Sequence, residues 1–159
     1  MAETIQVVSF KLGSEEYGVD IAQVQEINRM VAVTHVPRAP QFMEGVINLR
    51  GQLIPIIDLR ARFGMPRAEH TKNTRIVVTE IGSKRVGMVV DSVSEVLRLP
   101  TDQVEPAPDM ITGVDTEYIR GVGKIEDRLI ILLDLGRIIS GAEKRELEAN
   151  DAAEAVVAA

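Results

Sequence analysis

Three aspartates, Asp58, Asp91 and Asp134, each follow an apolar run. A carboxylate at a strand end is a natural place for a general base or a metal ligand. No nucleophile–base pair, metal-ligand spacing or glycine-rich phosphate loop accompanies them, and the patterns GxxxxGK[ST], GxSxG and HExxH are absent. The simpler expectation is that they cap the chain as it leaves a strand for a turn or helix. An enzyme of carboxylate type is the competing reading, and it requires the three to act together. His35 beside a proline turn and His70 in a polar stretch read as solvated residues. Arg50, next to Asn48 at the tip of an apolar hairpin and near Glu44, is the more unusual cation, suited to a directional contact with a partner's carboxylate.

The elements that hold these residues occur twice. At an offset of 69, Val8, Gly13, Ser14, Gly18, Val24, Glu26 and Pro37 meet Val77, Gly82, Ser83, Gly87, Val93, Glu95 and Pro106. After an insertion of seven the offset is 76, and Gly45-Val46, Leu53-Ile54 and Asp58-Leu59 meet Gly121-Val122, Leu129-Ile130 and Asp134-Leu135. One unit has been used twice, which argues against a single catalytic cleft. Asp58 and Asp134 are equivalents, so they belong at matching places in separate units.

Each copy reads as a small all-β unit. Val7 to Leu12 and the run through Tyr17, Val19 and Ile21 flank Gly13-Ser14, and Ile76–Ile81 and Val86–Val90 flank Gly82-Ser83, as in hairpins. VINL and LIPIIDL around Arg50-Gly51-Gln52, and IRGVGKI and RLIILLDL around Glu126-Asp127, predict a second hairpin in each copy. Pro55 implies an edge strand or a bulge. Helix is minor: a turn at Ile21–Gln23 capped by Asp20, one at Pro40–Glu44, one at Leu59–Phe63, and a C-terminal helix from Asp134 towards Leu147.

Composition bounds the function. Aromatic residues are only 3%, so Val, Ile and Leu must build the core. A unit this small buries only about 60% of its unfolded surface by itself, so the copies are expected to share a core. Runs such as VINL, GMVV and LIILL exceed what two very small barrels hide, which leaves apolar surface for a protein partner. There are no cysteines, which fits a reducing compartment. No run approaches the roughly 20 apolar residues of a membrane helix, and the start MAETIQVVSF lacks the features of a signal peptide. A net charge of −6 without a Lys/Arg cluster argues against nucleic acid. No cofactor is expected.

EGVINLRGQLIPIIDLR (44–60), GSEEYGVDIAQVQEI (13–27), VGMVVDSVSEVL (86–97) and TEYIRGVGKIEDRLIILLDL (116–135) closely resemble the CheW family, over about residues 5–140. The resemblance implies a mainly β fold: two SH3-like five-stranded β-barrel subdomains with a shared apolar core, few short helices and a C-terminal helix. It places one CheW-like domain at 5–148, with barrels at about 13–68 and 74–135 and a first strand (5–12) assignable to either; the small, weakly patterned residues at 149–159 read as a flexible tail. It implies a cytoplasmic, non-catalytic adaptor, monomeric when isolated. Such an adaptor is recruited to membrane arrays by coupling chemoreceptor tips to the CheA histidine kinase. A CheW-like scaffold in another two-component pathway, such as pilus-based motility, is the alternative. The resemblance assigns receptor binding to Val24, Ile27, Leu49, Val86, Val93 and Val96. It assigns kinase binding to Glu26 and Arg50 on one surface, and to Glu105 and Met110 on another.

Overall fold

A computed structural model describes residues 3–37, 43–66, 68–81, 83–106 and 118–138. Eleven strands follow in order: β1 (Thr4–Leu12), β2 (Glu15–Asp20), β3 (Val24–Arg29), β4 (Met43–Leu49), β5 (Gln52–Asp58), β6 (Arg75–Ile81), β7 (Lys84–Val90), β8 (Ser92–Pro100), β9 (Val104–Glu105), β10 (Ile119–Ile125) and β11 (Arg128–Leu133). Two short helices, α1 (Leu59–Arg62) and α2 (Leu135–Ile138), and single 3-10 turns at Ile21–Gln23 and Thr101–Gln103 complete the described chain. The expected mainly β fold with few helices is what forms. The continuation of the C-terminal helix beyond 138 and the tail at 149–159 lie outside the described residues, as do residues 40–42 of the turn expected at Pro40–Glu44, whose last two residues, Met43 and Glu44, belong to β4 instead.

The strands form two barrel sheets, one ordered β3-β6-β7-β5-β4 and one ordered β8-β1-β2-β11-β10-β9. They do not follow the two sequence copies. The first hairpin of the first copy (β1–β2) sits in the sheet of the second copy, and the first hairpin of the second copy (β6–β7) sits in that of the first. The barrel boundaries expected at about 13–68 and 74–135 therefore differ from the pairing, which encloses β3 to β7 in one barrel and splits the other around it. The first strand, left unassigned by sequence, pairs β2 and β8.

The exchange preserves the register of the repeat. Parallel pairing sets Ile56 opposite Gly87 in one barrel and Leu132 opposite Gly18 in the other. The edge strands pair with a bulge at the same place, between Val24 and Glu26 in β3 and opposite Ser9/Phe10 in β8. The sheets differ in one strand. β9 pairs Glu105 with Val122, whereas the five-stranded sheet has only a bridge from Thr34 to Val46. Both approaches require glycine beside them. A Cβ on Gly45 (φ 154°) would lie 2.2 Å from the Thr34 carbonyl oxygen, and one on Gly121 2.9 Å from that of Glu105.

Pro55 is not on an edge strand, because β5 lies between β7 and β4. Its partner across β4 is Val46, whose N–H and C=O are both bonded to Thr34. The ladder to β7 begins only at Ile56. No neighbour therefore needs the N–H that proline lacks.

The core has three parts. Ile47, Ile54, Ile56, Ile76, Val78 and Val89 fill one barrel, and Val7, Leu99, Ile130 and Leu132 fill the other. The largest cluster takes Phe10, Leu12 and Tyr17 from one barrel and Val77, Met88 and Val90 from the other, so the interface between barrels is the main core. Through it runs a stack of rings, Phe10–Tyr17–Phe63–Tyr118, with centroids 6.0, 5.8 and 6.0 Å apart.

Candidate functional site

Asp58 and Asp134 are occupied as local caps, whereas Asp91, expected to cap as well, is held by residues distant in sequence. Asp58 caps α1, accepting from the Arg60 N–H at 3.0 Å, and Asp134 accepts from the Gly136 N–H at 3.1 Å. Asp20 caps the turn it precedes, accepting from the Ala22 N–H at 2.9 Å. Asp91 accepts from Arg60 Nε at 2.8 Å and from the Gly13 N–H at 2.8 Å, which ties the β1–β2 turn to α1 across the two barrels. The Arg60 guanidinium, helped by the Gly13 N–H, holds the Asp91 carboxyl below its ordinary range against the opposing effect of burial. No group of three His, Cys, Asp or Glu able to hold a metal occurs among the described residues. His70 Nε2 lies 3.6 Å from Glu44 Oε1.

Strand β3 carries two different surfaces, because successive side chains point to opposite faces. Ile27 stands opposite Val77, a residue of the shared core, and is 41% exposed. Its repeat equivalent Val96 stands opposite Val8, also of the shared core, and is 51% exposed. Val24 and Val93, again equivalents, are half-buried and pack onto the same core. On each edge strand an apolar strip thus runs from the inter-barrel core out to solvent. Four of the six expected receptor contacts fall on these two strips. The other two do not. Val86 is 2% exposed, because β7 is flanked by β6 and β5 and covered on both faces. Leu49 packs against the separate cluster inside the five-stranded barrel.

The opposite face of β3 is polar. Glu26 forms an ion pair with Arg50 and accepts from Asn28 Nδ2 at 2.6 Å. The Asn28 amide, and then Arg50, hold its carboxyl below the ordinary range. Arg85 donates to Gln52 beside them. The structure thus joins the two residues expected on the first kinase surface, but as partners of each other. Of the second surface, Glu105 pairs with Lys124 at 2.9 Å, and Met110 lies outside the described residues.

Sequence reading passed over the matching face of the other barrel. There Arg128 pairs with both Glu16 and Glu95. Burial pushes the Glu16 carboxyl up, but Arg128 and Ser9 outweigh it and leave it below the ordinary range. Glu95, Glu16 and Arg128 are the repeat equivalents of Glu26, Arg85 and Gln52. The signal was present in the two offsets, which put charged residues at equivalent places on both barrels.

Residues 6–143 match the CheW-like domain family. The chain is 44% identical to the chemotaxis protein CheW of Klebsiella aerogenes over 134 residues, covering 84% of this chain and 81% of that one. It is 34% identical to the chemotaxis protein CheW of Treponema pallidum over 149 residues, covering 91% and 88%. The crystal structure of the scaffolding protein TtCheW from Thermoanaerobacter tengcongensis superposes with a TM-score of 0.81 at 37% identity, covering 90% of this chain and 92% of that one.

Proposed function

This chain belongs to the CheW-like domain family of chemotaxis scaffolds, and from that premise we propose that it couples chemoreceptors to the CheA histidine kinase and catalyses no reaction itself. The cytoplasmic tips of the receptors would dock on the apolar strips of β3 and β8, at Val24, Ile27, Val93 and Val96. The CheW-like regulatory domain of the kinase would dock on the charged face around Glu26 and Arg50, with Glu105 and Met110 as a second contact. No helix among the described residues is long and apolar enough to cross a membrane, so attachment to a receptor array would run through these partners from the cytoplasm.

The observation that carries this reading is the division of labour on β3. Ile27 emerges from the shared core on one face and Glu26 meets Arg50 on the other. Two partners can therefore contact one strand without competing, as coupling requires. An amphipathic helix suits an apolar strip of this kind, whereas the charged face sets register and partner choice more than raw affinity.

The test is binding of a soluble receptor-tip hairpin and of the kinase regulatory domain, separately and together. Ile27→Asp should lose the receptor fragment and keep the kinase domain, and Arg50→Glu should do the reverse. Simultaneous loss of both, or competition between the two ligands for the wild-type protein, would sink the two-surface reading. Recovery of pilus-motility components in place of chemoreceptors would move the protein to that pathway.

A further inference from the structure

Among the described residues the arginines are nearly all engaged. Arg50, Arg60, Arg120, Arg128 and Arg137 have carboxylate partners. Arg62 donates to the Ile138 carbonyl, Arg75 to those of Lys72 and Thr74, and Arg85 to Gln52. Among the described residues, that leaves Arg29 and Arg98, which are exposed and make no hydrogen bond or ion pair. They are repeat equivalents at the offset of 69. Two free guanidinium groups at the same place on both barrels of a chain with net charge −6 form a pattern that self-pairing does not explain.

Their placement points to a use. Each lies two residues beyond an exposed apolar side chain, Ile27 or Val96, on an edge strand. Two residues along a strand keep the same face. Arg29 even faces another arginine, Arg75, directly across the ladder, an arrangement that costs stability and gains from a counter-charge. On the six-stranded barrel Arg98 lies opposite Gln6 and lines a surface hollow with Thr4, Gln6, Asp20 and Ile21.

We propose that Arg29 and Arg98 form a cationic rim to the apolar strips, selecting a receptor-tip helix that presents a carboxylate one turn from its apolar anchor. This rests on the reading of the strips as the receptor site. The spacing fits. Apolar residue and arginine are about 6.6 Å apart along the strand, and residues i and i+4 of a helix rise about 6 Å. A guanidinium accepts a carboxylate in a two-pronged geometry that a lysine does not reproduce, so the rim adds direction to a contact that burial alone leaves free to slide. The partner's carboxylates supply the counter-charge that the arginines lack within their own chain.

The experiment is calorimetric titration of the intact protein with a soluble receptor-tip hairpin, at two salt concentrations, beside melting curves and sedimentation of each variant. Arg29→Glu with Arg98→Glu should weaken binding at least about tenfold, equivalent to 1.4 kcal/mol, with melting no lower than the wild type's, because the change at 29 relieves the repulsion with Arg75, and with a smaller salt dependence. A Glu→Lys change in the hairpin one turn from its anchoring apolar residue should restore part of the loss. Ile27→Asp separates the two readings. If Ile27→Asp abolishes binding while the double charge reversal binds like the wild type, the strip stands and the rim is overturned. If Ile27→Asp binds normally, the receptor site itself is misplaced and the rim falls with it. If the reversal alters self-association and not hairpin affinity, the rim serves a second copy of the chain and the proposal is wrong.

Discussion

Arg50 and Glu126 stand at the same point of the two barrels, each in a left-handed backbone conformation (φ 50° and 53°), and they carry opposite charges. They are the only non-glycine residues with positive φ among the described residues. Arg50 and Gly51, both at positive φ, make the two-residue turn between the paired residues Leu49 and Gln52, where backbone twist demands that conformation. Arg85 and Glu16 repeat the opposition beside them. Corresponding faces of the two barrels are thus alike in backbone and opposite in charge at these positions.

The left-handed turn makes Arg50 separable into backbone and side chain. Arg50→Ala and Arg50→Gly remove the same ion pair, but only glycine relieves the backbone. Arg50→Gly should therefore be more stable than Arg50→Ala by about 1 kcal/mol. Both should weaken binding to the kinase regulatory domain by at least about tenfold. Melting curves read the first comparison and calorimetry the second. Equal melting of the two variants would show that the turn is not strained, and unchanged affinity would remove Arg50 from the interface.

Asp91 should govern part of the acid response. Its carboxyl is held below the ordinary range, chiefly by Arg60, so its contribution to stability is complete above the unfolded value of about 4 and is lost as pH falls through the lower folded value. Wild-type melting should be flat from about pH 7 to 5 and fall below about pH 4. Asp91→Asn should cost about 1 kcal/mol at neutral pH, a modest amount because Asp91 keeps 31% side-chain exposure. Its melting should also depend less on acid. An identical pH profile in the variant would place the acid-sensitive group elsewhere, with Glu16 the next to test.

Gly45 and Gly51 should respond differently to alanine. A Cβ on Gly45 would meet Thr34 backbone at 2.2 Å, whereas one on Gly51 meets nothing within 4 Å. Gly45→Ala should cost at least about 3 kcal/mol and Gly51→Ala about 1 kcal/mol, the latter from φ alone. Denaturant melts of the two variants give the comparison, and equal costs would refute the close approach of the Thr34 backbone.

Cutting the chain between residues 66 and 74 leaves neither sheet whole, because each half carries a hairpin that completes the other half's sheet. The two fragments should be unfolded alone and should regain the β-sheet circular dichroism signal when mixed. A fragment that folds to a monomeric barrel without its complement would contradict the strand exchange.

What the sequence revealed was mostly local. The hairpins and the capping roles of Asp20, Asp58 and Asp134 depend on neighbours a few residues away, and they form as read. The strand exchange was hidden by the repeat itself. Val7 to Leu12 and Ile76 to Ile81 have the same pattern, so either hairpin suits either barrel, and only packing of the whole chain chooses. Val86, assigned to the receptor site by resemblance, lies on a central strand covered on both faces, a burial that only the assembled sheet reveals. The Glu26–Arg50 pair joins residues 24 positions apart across an edge strand and a hairpin tip, a distance that local pattern does not span. Arg29 and Arg98 were visible in the offset of 69, but their lack of partners was not.

The exchange also sets the order in which the chain becomes complete during synthesis. The five-stranded barrel is contiguous from Val24 to Val90 and has all its strands once residue 90 has left the ribosome. The β1–β2 hairpin emerges earlier but waits longest. Ser9 meets Glu95 at a separation of 86 residues, and Glu16 meets Arg128 at 112. Until β8 and β11 arrive, Phe10, Tyr17 and the other apolar residues of the hairpin have no finished sheet to enter. The order of synthesis therefore predicts a nascent state with one barrel complete in its strands and one hairpin unsheltered, the kind of exposed apolar surface that favours aggregation until the rest of the chain emerges.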